Sequence, residues 1–186
     1  MLSEKETKRI SKFLSFILRH HPEMADITLD KNGWANVDEL IQNLPTKGFD
    51  ITHEMLDHVV ATNSKQRFAY NNDKTKIRAS QGHSIEVDLE LKAAVPPPFL
   101  YHGTAEKHIS SILLNGIEKR ERQYVHLSVD VQTAVAVGGR HGKPKVLVIA
   151  AEQMNNDGFI FYISENKVWL TEHVPAKYLQ QSEENA

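Results

Sequence analysis

The chain has 186 residues, 40% hydrophobic and 25% charged, with a net charge of −2. That length suits one large domain or two small ones, and the near-neutral charge excludes a broad basic surface for nucleic acid, so any such contact must be focal. The absence of cysteine excludes disulfides and thiolate metal sites, and no apolar run approaches the roughly 20 residues of a membrane span.

The opening "MLSEKETKRI" is too charged for a signal peptide, so a cytoplasmic location is expected. Ser3 and Glu6 have the spacing of a capping box. Ile10, Phe13, Leu14 and Ile17 then recur at helical spacing, with Leu18 widening the apolar face. Pro22 disfavours helical geometry at His21, so this helix presents Arg19 and His20 on its last turn. Cations are common at that end because they face unpaired carbonyls, and this ordinary explanation stays open for both residues. A short helix is expected after "GWAN", capped by Asn36 or Asp38. A third follows Thr52, with Met55, Leu56, Val59 and Val60 inward.

"KQRFAYNNDKTKIRAS" reads as a β-hairpin with Arg67 opening its first strand. Three helices followed by a hairpin is the order of a winged-helix domain, an order that does not fix function. "QGHS" at 81–84 suggests a close backbone approach or a plain turn. Lys65 and Arg78 are read as solvated charges by default, with contact to RNA phosphates as the alternative. The prolines of "AAVPPP", residues 93–98, mark an extended connection between a domain over 1–92 and another over 99–186.

Beyond that connection the pattern changes. "FLYHGT" is a short strand ending in His102, Gly103 and Thr104. "AEKHISSILLNGI" is an amphipathic helix with Ile109, Ile112 and Leu113 inward, closed by Asn115 and Gly116. "YVHLSVD" is a strand holding His126 and Ser128, and "VQTAVAV" is a helix broken by Gly138 and Gly139. "KVLVIA" is a buried strand, "FYISENKVWL" a hairpin turning at Glu165 and Asn166, and "SEENA" a solvated tail. No phosphate-binding glycine motif of the GxGxxG or GxxxxGK[ST] kind occurs. The expected fold class is α+β, with short strands and no βαβ repeat.

The segments "LRHHPE" after "SKFLSFI", "KQRF", "QGHS", "YHGT", "YVHLS", "VGGRHG" and "VWL" occur here in one order. Together they resemble the RNA 2'-phosphotransferase family of KptA-type enzymes, from about residue 9 to 179. The resemblance implies a winged-helix lobe facing RNA, an NAD-binding lobe like that of ADP-ribosyltransferases, and a cleft between them. It implies transfer of an RNA 2'-phosphate to NAD. The products are 2'-hydroxyl RNA, nicotinamide and ADP-ribose 1'',2''-cyclic phosphate. Its active-site positions fall on Arg19, His20, Arg67 and Arg140, and its NAD signature on His102, His126 and Val168. Many relatives in the wider superfamily carry glutamate where this chain has Val168.

The chemistry suits those residues. Guanidinium forks match phosphate oxygens and stay charged at any relevant pH. A 2'-phosphate is already an anionic nucleophile, so valine in place of a carboxylate base is compatible with attack. His20 is expected to protonate the leaving 2'-oxygen or to bond a phosphate oxygen. His102, Gly103 and Thr104 are expected at the nicotinamide-side nucleotide, and His126 and Ser128 at ribose hydroxyls or the diphosphate. His21, His53, His58, His108 and His173 are assigned to surface or packing, and His141 is left open. No metal, no membrane, no protein partner and a monomer are expected. Two other readings stay open: an ADP-ribosyltransferase acting on terminal nucleic-acid phosphates or protein, and a winged-helix regulator that senses NAD without consuming it.

Overall fold

The computed structural model describes residues 2–140 and 142–181. His141 and the tail "SEENA" fall outside the described residues. The chain divides into two compact units, Met1–Glu90 and Leu91–Ala186, each with its own core.

The first unit opens with α1 (Glu4–Arg19). Its capping box forms as read: the Ser3 side chain accepts from the Glu6 backbone, and Glu6 accepts the Ser3 N–H at 2.8 Å. The helix stops at His20, whose N–H still donates to the Phe16 carbonyl at 3.0 Å, before Pro22 starts a turn of 3-10 helix. Next come β1 (Ala35–Asn36), α2 (Val37–Asn43) and α3 (His53–Ala61). Asn36 and Thr52 cap these two helices by accepting backbone N–H groups. The hairpin strands β2 (Phe68–Tyr70) and β3 (Lys76–Ala79) pair antiparallel, Phe68 opposite Ala79. β1 adds to the outer side of β3, which makes β3 the central strand. Leu14, Ile17 and Leu18 of α1 pack with Leu40, Leu56 and Ile77 as the first core.

The second unit holds the other eight strands as short antiparallel sheets. They are β4 (Phe99–Ala105), β5 (Ile117–Glu118), β6 (Val125–Leu127), β7 (Pro144–Ala150), β8 (Tyr162–Ile163), β9 (Trp169–Thr171), β10 (His173–Val174) and β11 (Leu179–Gln181). One sheet runs β11-β7-β4, another β6-β9-β8, and β10 pairs with β5. α4 (Ile109–Asn115), α5 (Val131–Gly138) and α6 (Ala151–Asn156) complete the unit. The described residues thus form a mixed α and β fold of six helices and small sheets, in keeping with the α+β expectation. No helix among them is long and apolar enough to cross a membrane.

Two details differ from the sequence expectation. Leu113 is 37% exposed rather than inward, because only Ile112 of α4 reaches the core, with Ile109 packed beside it. Ser128 lies just beyond β6, where it exchanges both backbone hydrogen bonds with Tyr101 at 2.8 and 2.9 Å. That exchange ties β4 to the end of β6 and so joins the two larger sheets. Ala94, in the proline-rich segment, donates to the Phe161 carbonyl at 2.8 Å and packs on the second core.

Helix α5 lies directly on β4. A Cβ added to Gly103 would sit 1.7 Å from the Ala134 carbonyl oxygen, and one on Gly138 would sit 2.7 Å from the Thr104 oxygen. Both obstructions are backbone, so no side-chain shift relieves them. Gly103→Ala is therefore expected to cost more than the ~1–3 kcal/mol usual for overpacking and to lower the thermal midpoint accordingly. Gly48→Ala, where a Cβ meets nothing within 4 Å but φ is +79°, should cost about 1 kcal/mol. Calorimetry on both variants checks this ordering; equal midpoints would contradict it.

Candidate functional site

In the first unit the residues singled out from sequence gather near the end of α1. The Arg19 carbonyl accepts the Ser84 N–H at 3.0 Å, and His20 Nδ1 lies 2.9 Å from Ser84 Oγ. Gly82, at φ +91°, lies against the Arg19 side chain: a Cβ there would be 3.7 Å from its Cζ and Nε. The close approach read into "QGHS" is thus made to the helix end that carries Arg19 and His20. Gln66 and Arg67 lie just before β2, which starts at Phe68 rather than at Arg67 as read; the Arg67 carbonyl accepts the Ser80 N–H at 2.8 Å, two residues before Gly82. The Arg67 backbone donates to Asn63 Oδ1 at 3.2 Å, and Asn63 in turn donates to Ser11 Oγ on α1 at 2.9 Å. α1, the α3–β2 loop and the segment after β3 therefore fix Arg19, His20 and Arg67 within one unit.

His83, which the sequence reading passed over, sits under this group with 1% of its surface exposed. Among the described residues neither ring nitrogen has a hydrogen-bond partner. Burial first, and then the positive charges of Arg19, His20 and Arg78, push its pKa down to about 4. Arg78 corrects an expectation. It is 7% exposed, with its guanidinium 4.3 Å over the Trp34 ring, rather than a solvated charge. As a residue of the central strand it is covered, and the usual in-out alternation fails along Ile77, Arg78 and Ala79.

In the second unit His102 and His126 meet where β4 and β6 are joined. His102 Nδ1 lies 3.3 Å from the His126 carbonyl oxygen. A carbonyl only accepts, so Nδ1 carries the proton and Nε2 is left as an acceptor. Burial lowers the His102 pKa, and the nearby charges of Arg120 and Arg122 lower it further, so the ring is neutral at neutral pH. An Arg122 Nη atom lies 3.5 Å from His126 Nδ1. Arg122 itself has a lowered pKa, from burial and then from repulsion by Arg140. Arg140 follows the C-terminus of α5, its N–H donating to the Val137 carbonyl at 3.3 Å. The Gly103–Gly138 packing thus sets where Arg140 leaves the helix.

What lies against the bare face of Gly103 is α5, and Thr104 is buried beside it. Val168 is half-buried at the β8–β9 turn, with both its backbone groups bonded to Ser164 at 2.9 and 3.0 Å. Arg120 and Arg122 were missed at the sequence level; the available signal was "RER" just upstream of "YVHLS". Of the histidines assigned to surface or packing, His21 bonds Glu23 and His53 bonds Asp38. Among the described residues no His, Asp and Glu group is arranged to hold a metal ion.

Each unit therefore crowds positive side chains. Such an arrangement favours anions with several oxygens, phosphates above all.

Comparison with known proteins gives one consistent answer. Residues 5–173 match the model of the family described as "RNA 2'-phosphotransferase, Tpt1 / KptA family". A relative from Flavobacterium johnsoniae, named "Probable RNA 2'-phosphotransferase", is 54% identical over 96% of this chain and 98% of its own length. Relatives with the same name from Fusobacterium nucleatum and Streptomyces coelicolor are 53% and 49% identical. These matches cover 92% and 96% of this chain, and 97% of each relative.

The depressed His83 pKa predicts an acid-sensitive fold. The unfolded chain takes up a proton near pH 6.5 that the folded one refuses until about pH 4. Stability should fall across that window as pH drops, by up to about 3 kcal/mol. His83→Phe should flatten this limb in urea unfolding followed by tryptophan fluorescence. An unchanged slope would contradict the assignment.

Proposed function

The chain belongs to the RNA 2'-phosphotransferase family, and from that premise we propose that it transfers an internal RNA 2'-phosphate to NAD. In this reading the first unit is a winged-helix lobe that holds the RNA. The second is an ADP-ribosyltransferase-like lobe that holds NAD as co-substrate. Arg19, His20, Arg67 and Arg140 are the catalytic residues of this reading. The observation that supports this most is the gathering of Arg19, His20 and Arg67 about the segment Ser80–Ser84, through Ser80, Gly82 and Ser84. Cations held close together repel, and a bound phosphate turns that repulsion into attraction.

The NAD lobe's donor set fits a dinucleotide. Neutral His102 offers Nε2 to a hydroxyl, His126 and Ser128 lie one strand away, and Arg122 suits a diphosphate. Val168 is the third position that the family resemblance assigns to NAD, and Gly103 and Thr104 are expected beside it at the nicotinamide-side nucleotide.

The reaction has two steps. A 2'-phosphate oxygen bonds to the sugar carbon that carries nicotinamide, and nicotinamide leaves with the bonding electrons. The neighbouring 2''-hydroxyl then attacks phosphorus and loses its proton to solvent, and the cyclic phosphate forms as the RNA 2'-oxygen departs and takes a proton. Charge builds on the phosphate oxygens in this second step, where fixed guanidinium groups stabilise it. His20 supplies the proton, and its contact with Ser84 Oγ sets the ring's orientation. A cytoplasmic monomer that relies on arginine rather than a metal for charge neutralisation completes the reading.

Incubation with NAD and a 2'-phosphorylated oligonucleotide, followed by mass analysis, tests it. The expected products are dephosphorylated RNA, nicotinamide and the cyclic phosphate. Arg67→Ala and Arg140→Ala should each reduce turnover by at least about 10²-fold without altering the fold. His20→Ala should accumulate ADP-ribosylated RNA. Persistence of that adduct with the unaltered protein would instead mean an ADP-ribosyltransferase that stops after one step.

A further inference from the structure

The proposed arginine site reads a phosphate but no base, since phosphate contacts position a nucleic acid without identifying it. Next to it, α1 exposes an aromatic ring. Phe16 is 40% exposed and lies one helical turn before His20. Its carbonyl accepts from both His20 and His21, at 3.0 and 3.1 Å, so the chain turns back sharply after the helix. That turn carries the His21 ring to 4.7 Å from the Phe16 ring, centroid to centroid, tilted by 37°. The His20 ring is the next in the row, 6.5 Å from His21. Glu23 holds the His21 ring in place through Nδ1 at 2.9 Å. Met24, 52% exposed, follows on the same short turn.

An exposed phenylalanine that the core does not use, paired with a second ring and continuous with Arg19 and His20, has the makeup of a stacking platform. Proteins that bind single-stranded RNA place unpaired bases on such rings beside groups that hold the phosphates. We propose that Phe16 and His21 stack an unpaired nucleobase adjacent to the 2'-phosphate, so that the site selects a phosphate carried by flexible, unpaired RNA. The inference rests on the proposed phosphotransfer site. The occupant follows from the neighbouring positive charge: an anionic, aromatic polymer satisfies both halves of the surface, whereas an apolar protein face satisfies only one.

Binding of short oligonucleotides in the absence of NAD tests it. Four are compared, with and without the 2'-phosphate and with and without a base at the flanking nucleotide. For the unaltered protein, removing that base should weaken binding about tenfold. Phe16→Leu should lose the same factor for the oligonucleotide with the base and nothing for the abasic one, while Phe16→Tyr should retain it. Circular dichroism confirms the fold of each variant; should Phe16→Leu not fold, His21→Ala carries the same comparison. No base effect in the unaltered protein, or one undiminished in the variant, overturns the stacking proposal. Loss of the 2'-phosphate effect alone overturns the phosphotransfer reading and leaves the base effect to be judged by itself.

Discussion

Like charges held close together are the constraint on which this molecule turns. In a chain of net charge −2, each unit places positive side chains within range of one another. The scaffold opposes their repulsion with ordinary means. α1 ends in a rigid cap, the Asn63–Ser11 bond ties Arg67 to that helix, and Arg78 spreads its charge over the Trp34 ring. His83 remains neutral in their midst because burial and three positive neighbours resist its protonation. On the proposed reading, a bound phosphate relieves this repulsion.

The second unit uses close backbone packing to the same end. With no side chain at Gly103 or Gly138, α5 settles onto β4 and carries Arg140 away from the helix at a fixed point. The Tyr101–Ser128 exchange brings β6 alongside, and with it the His126 carbonyl that sets the His102 tautomer. Sheet joining, tautomer and the placement of positive charge are thus consequences of a few backbone contacts.

Much of this was legible in the sequence, because the signals were local. Ser3 with Glu6, Pro22, Thr52 and the Asn71–Asp73 turn each act within a few residues, and each marks the element it was read to mark. The ordered motifs gave the family for a different reason: many weak matches in one order are jointly specific. What stayed hidden depends on distant partners. β1 is only Ala35 and Asn36 and exists through β3. Arg78 is buried by Trp34, 44 positions away in sequence by subtraction of their numbers. Arg122 comes near Arg140 through tertiary packing, and Leu113 is left outside because α4 offers the core one narrow edge. The family and the local elements were readable; the packing between distant residues was not.

The central claim is that several guanidinium groups hold one phosphoryl group. Its most direct measure is the ionisation of that phosphate. Followed by phosphorus NMR with saturating protein, a bound 2'-phosphorylated oligonucleotide should lose its second proton at least one pH unit below the free value, which lies near 6 for a phosphate monoester. A bound phosphate that titrates at the same pH as the free oligonucleotide would contradict the account.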